Sequence, residues 1–89
     1  MNFFDEFDVG IDLVEIDRFK KIPFEENESF YRKNFSKEEI EYCLKFEEPY
    51  KHFAGKFAIK EATIKSMNKK IELLQIKTYH EKSKPKVSI

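Results

Sequence analysis

Aromatic and apolar residues recur at helical spacing through the middle of the chain. Phe53, Phe57, Glu61 and Ile64 follow one another at intervals of four, four and three, so a helix places them on roughly one face. This pattern predicts one long helix over Pro49–Met67, with Pro49 at the first helical position, where a missing N–H costs nothing. A carboxylate in line with two aromatics is unusual, because burying an ionised group needs a cation or hydrogen bonds to offset it. Lys65 follows Glu61 by one turn, and Lys56 and Lys60 form a second basic pair. The same periodicity also suits a core helix with a solvated Lys/Glu face.

The other elements are read in the same way. Val9–Ile16 alternates and predicts a strand that passes into a helical turn. Ile16–Ile22 predicts a first helix with Arg18, Lys20 and Lys21 outward, and Pro23 stops it. Asn27–Asn34 predicts a short helix with Phe30 inward. Ser36 followed three residues later by Glu39 is a capping box, so a helix is expected from Lys37 to about Phe46, with Ile40, Cys43 and Leu44 facing the core. Ile71–Tyr79 predicts a strand, Lys82–Pro85 a turn, and Lys86–Ile89 a returning strand. Together these predict an α+β domain: a small antiparallel sheet packed against a long central helix and shorter helices.

Composition narrows the class. The 89 residues suffice for one small domain, and ten Phe with four Tyr supply a modest core. Seventeen basic residues balance seventeen acidic ones, so charge makes no case for nucleic acid. The charges are unevenly spread, however. The chain is mainly acidic through Lys45, and lysines outnumber acids from Lys51 onward, which suits a phosphorylated ligand or an acidic partner. Cys43 is the one cysteine, which excludes an internal disulfide and a multi-cysteine metal site; a buried small residue is expected there. No apolar run reaches the roughly 20 residues a membrane span needs. The acidic N-terminus is unlike a secretory signal. No membrane contact and a cytoplasmic location are therefore expected.

Asp12 falls among apolar neighbours in the expected first strand, where aspartate is depleted. An edge position capping a turn accounts for it. So does a ligand site, because Gly10 on the same face leaves room beside it. If that strand packs on the long helix, Asp12 and Glu61 meet. Two such carboxylates repel unless a divalent cation lies between them, and Mg²⁺ with oxygen ligands, waters and a substrate phosphate fits that need.

Three blocks resemble a known family. GIDLVEIDRF (Gly10–Phe19), FSKEEIEYC (Phe35–Cys43) and FAGKFAIKEATIKSM (Phe53–Met67) are similar to the signature segments of the holo-acyl-carrier-protein synthases, the bacterial-type 4′-phosphopantetheinyl transferases. Ser66 stands where the family pattern has alanine. The resemblance implies a single phosphopantetheinyl-transferase-like domain over residues 1–89, lacking the family's usual C-terminal strand. It implies a transferase that moves the 4′-phosphopantetheine group of coenzyme A to a serine of apo-acyl carrier protein, releasing adenosine 3′,5′-bisphosphate. Asp12 and Glu61 would be the Mg²⁺ ligands and, with Lys65, the catalytic set. Lys56, Lys60 and Lys65 would hold coenzyme A phosphates, and Arg18 would contact the carrier protein. Glu61 or a metal-bound water would take the serine proton. Family members are trimers, so a homotrimer is implied as well. The alternative is a weak or inactive member that still binds an acidic carrier.

Overall fold

The computed structural model describes residues 13–67, 70–82 and 84–89. Four helices come first: α1 (Leu13–Lys20), α2 (Glu28–Asn34), α3 (Lys37–Leu44) and α4 (Pro49–Ser66). A hairpin of β1 (Lys77–Glu81) and β2 (Lys84–Ser88) follows. Short 3₁₀ turns at Phe24–Glu26 and Leu73–Gln75 lead into α2 and β1. The strands pair antiparallel with Thr78 opposite Val87 and Glu81 opposite Lys84. The α+β class expected from the sequence is the class observed.

Most boundaries follow local chemistry. In α3 the Ser36 hydroxyl accepts from the Glu39 N–H at 3.2 Å, and the Glu39 carboxylate accepts from the Ser36 N–H at 2.8 Å, so the capping box forms. Pro49 opens α4 as expected. Pro23, extended at φ −55° and ψ 145°, separates the first helix from the next turn.

Four local expectations are corrected. The predicted strand Val9–Ile16 is helical over Leu13–Ile16; its earlier residues lie outside the described ones. Alternation over so short a run competes with helical spacing, and the Glu15–Arg18 ion pair at 3.0 Å belongs to a helix. In α2 the buried residue is Tyr31 (0% exposed), whereas Phe30 is 38% exposed. Tyr31 can go inside because its hydroxyl donates to the Ile22 carbonyl at 2.7 Å. Leu44, the last residue of α3, is exposed; Ile40 and Cys43 are buried as expected. The predicted strand Ile71–Tyr79 starts only at Lys77, because the Glu72 N–H donates to the Gln75 side chain at 2.9 Å and turns the backbone first.

The core forms where α4 meets the three earlier helices. Phe53, fully buried, has its ring centre 4.7 Å from Tyr31 and 5.1 Å from Phe35. Phe19 of α1 meets Phe57 edge-on at 5.6 Å. Edge-to-face pairs of this kind add about 0.5–1.5 kcal/mol each beyond burial. Burial pushes the Cys43 thiol up to about 12, so it packs as an inert apolar group. Among the described residues, no helix is long and apolar enough to cross a membrane.

Candidate functional site

Helix α4 divides along its length. From Phe53 to Lys60 it carries six buried residues, and beyond Lys60 none of its residues is fully buried. Glu61 and Lys65 follow at a spacing of four, both exposed, so they lie side by side on the open part of the helix. Asp12, the other expected carboxylate, lies outside the described residues. Among the described residues, no group of three or more His, Cys, Asp or Glu side chains converges. Mg²⁺ does not need one, since it is commonly held by one or two carboxylates plus waters and phosphate oxygens. The exposed carboxylate of Glu61, with a lysine one turn away, fits that donor chemistry.

Lys56 and Lys60 point inward, and both are essentially fully buried. The Lys60 ammonium donates to Glu39 Oε1 at 2.6 Å, to the Asn34 carbonyl at 2.9 Å and to the Leu73 carbonyl at 3.1 Å. The Lys56 ammonium donates to Thr78 Oγ1 at 2.7 Å and lies 4.8 Å over the Tyr42 ring. Thr78 in turn donates to Glu39 Oε2 through both its N–H, at 2.8 Å, and its hydroxyl, at 2.7 Å. Glu39 therefore accepts four hydrogen bonds, two on each oxygen. Burial alone would raise its pKa. The bonds from Lys60, Ser36 and Thr78 outweigh burial and hold it below the usual carboxylate range. Burial lowers both lysines, with the negative charge of Glu39 opposing the shift.

Sequence reasoning read Glu39 only as a cap and assigned no role to Thr78. One signal for the network was available: Lys56 and Lys60 fall on the face that carries Phe53 and Phe57. Beside the network, His80 stacks on Tyr42 at 4.6 Å, and burial with the neighbouring Lys56 charge lowers its pKa. His52, unassigned from sequence, stacks on Phe46 at 3.7 Å.

Arg18 lies on α1. Its guanidinium donates to both oxygens of Glu15, at 3.0 and 3.1 Å, and stays exposed. Such an exposed pair is worth about 0–1 kcal/mol, so a partner's carboxylate can displace Glu15. Arg18 and Lys21 rim a cavity of about 290 Å³ whose apolar walls are Phe19, Ile22, Phe30 and Phe57. Sequence reasoning missed Lys21 and Phe30 as lining residues; Phe30 was expected inside. Phe57 precedes Glu61 by one turn, so the cavity and the carboxylate share one side of α4.

Comparison with known proteins places the sequence in a family. The chain is similar to the holo-[acyl-carrier-protein] synthase of Syntrophus aciditrophicus, 52% identical over 58 residues, covering 65% of this chain and 45% of that protein. It is 43% identical over 61 residues to the synthase of the same name from Thermodesulfovibrio yellowstonii, covering 68% of this chain and 54% of that one. The corresponding protein of Leptospira biflexa is 40% identical over 60 residues, covering 67% and 47%. The chain thus spans about half the length of the curated relatives it matches. No solved structure gives a significant match. The family model extends further than these pairwise matches, from residue 8 to residue 88, and on that span the chain belongs to the 4′-phosphopantetheinyl transferase superfamily.

Proposed function

We propose that this chain transfers the 4′-phosphopantetheine group of coenzyme A to a serine of an apo-acyl carrier protein. The observation that carries the reading is the shared side of α4: a cationic, apolar-walled cavity next to an exposed Glu61–Lys65 pair. Its family, and relatives named for this activity, support it.

An amphipathic acidic helix suits the cavity. Apolar side chains would enter between Phe19, Ile22, Phe30 and Phe57, and acidic ones would meet Arg18 and Lys21. That docking holds the serine toward Glu61, which converts an encounter into a positioned reaction. The serine oxygen attacks the β-phosphorus of coenzyme A. The bond from that phosphorus to the bridging oxygen breaks, and adenosine 3′,5′-bisphosphate leaves with the electron pair. The serine proton passes to Glu61 or to solvent. Lys65 sets its ammonium against the pyrophosphate charge, which grows on the leaving oxygen. Glu61 and Asp12 would hold Mg²⁺, whose chemistry when bound is to neutralise the pyrophosphate. Lys56 and Lys60 would act from within, through the buried bonds that tie α4 to α3 and to the hairpin.

The test is mass spectrometry of apo-carrier protein incubated with coenzyme A, Mg²⁺ and the chain. A gain of one phosphopantetheine is expected. No gain with retained carrier binding would replace transfer by the second reading, a carrier-binding member. Asp12→Ala and Glu61→Ala should each abolish the gain, and wild-type transfer by either would refute the metal assignment. A cytoplasmic location and a homotrimer belong to the same proposal, the latter testable by sedimentation.

A further inference from the structure

Hydrophobic contact is non-directional. The Phe53–Phe57 face of α4 would pack nearly as well if the helix turned a little about its axis. Lys60 would not. Its three ammonium protons are aimed at three fixed acceptors: the Asn34 carbonyl at the end of α2, Glu39 on α3, and the Leu73 carbonyl in the turn before β1. Glu39 is itself held in place, because its other oxygen receives both Thr78 donors from β1. Four elements are thereby keyed to one point on α4. That point is the residue immediately before Glu61. Turning the helix enough to lose one Lys60 bond swings Glu61 and Lys65 by the same angle.

We infer that Glu39 is a positioning residue: through Lys60 it sets the rotation of α4, and so the direction in which Glu61 and Lys65 face the substrate. The inference rests on the proposed transfer reaction for its catalytic consequence, though not for its geometry. A pair of this kind need not stabilise the fold, since well-packed apolar replacements of buried ion pairs are often neutral or stabilising; its distinctive contribution is register.

The test compares the wild-type chain, Glu39→Gln and the double variant Glu39→Leu/Lys60→Met, each shown to be folded by circular dichroism at the assay temperature. In the mass assay both variants are expected to lose at least about tenfold in kcat, with a smaller change in KM for the carrier, because Phe57 alone among the cavity's lining residues lies on α4. The double variant is decisive, since it removes the key together with both charges of the Glu39–Lys60 pair. A companion measurement needs no turnover. Glu61→Cys is introduced into each background, and the rate of maleimide labelling at residue 61 is read, with the buried Cys43 silent. Uniform fast labelling is expected in the parent, and slower or multiphasic labelling in both variant backgrounds. Wild-type kcat or parental labelling in the folded double variant overturns the inference. If the wild-type chain fails to transfer at all, the proposed reaction fails, and the labelling rates alone decide whether Glu39 orients α4.

Discussion

Replacing Lys60 by methionine isolates the cost of a broken buried ion pair. Methionine keeps most of the volume of the lysine stem, so packing changes little. The charged end is lost, and with it the bonds to Glu39 Oε1, the Asn34 carbonyl and the Leu73 carbonyl. Glu39 stays buried at 1% exposure without its ion-pair partner. Removing one partner from such a pair costs about 3–5 kcal/mol, against a total stability of about 5–15 kcal/mol for a typical domain. Urea unfolding is the assay: the midpoint should fall by that free energy divided by an unchanged slope. The deficit should also depend on pH. In the native chain the Glu39 pKa is lowered, so its contribution is present above the ordinary carboxylate pKa and is lost as pH falls through the folded value. Without Lys60, the largest of the lowering bonds is gone, so the variant loses less than the native chain as Glu39 protonates. The gap is therefore widest near neutral pH and narrows in acid. A Lys60→Met protein within about 1 kcal/mol of wild type at pH 7, or a gap that widens in acid, would refute the network as described.

Three further outcomes are expected. Arg18→Glu should weaken binding of an acidic carrier by about tenfold or more at low salt, with the loss shrinking as salt is raised in a titration by fluorescence anisotropy. Lys82 turns the hairpin at φ 52°, a left-handed conformation that costs a side-chain-bearing residue about 1–2 kcal/mol, so Lys82→Gly should raise the melting temperature by a few degrees. Cys43 should stay silent toward a thiol reagent at pH 8 and react with one equivalent once urea unfolds the chain; rapid reaction of the native protein would contradict its burial.

Local rules carried the fold a long way. Ser36 with Glu39, Pro49 at the start of α4 and Pro23 as a stop are interactions within a few residues, and a linear reading finds them. The misses arise where a short run satisfies two periods or where a partner lies far along the chain. Leu13–Ile16 suits a strand or a helix, and in the structure it is the start of the helix that carries the Glu15–Arg18 pair. Tyr31 displaces Phe30 from the core because the Ile22 carbonyl, nine residues away, takes its hydroxyl. Around the site, the motif singles out Glu61 and Lys65, and the structure leaves both exposed. The inward turn of Lys60 was half legible. At about 100° per residue it lies about 20° from Phe53, closer to the aromatic face than Glu61 at about 80°. What no linear reading supplies is Glu39 waiting 21 residues earlier to receive it.

The division of α4 into a clamped stretch and an open end has a mechanical consequence. The helix is built like a cantilever, gripped as far as Lys60 and held only by half-buried Thr63 and Ile64 from there to Ser66. Amide protons should exchange slowly in the gripped stretch and far faster toward the tip, where opening requires only local fraying. The groups proposed to meet the pyrophosphate lie on that tip, so a bound substrate would stiffen the end of the beam, and part of its binding free energy would be used in doing so.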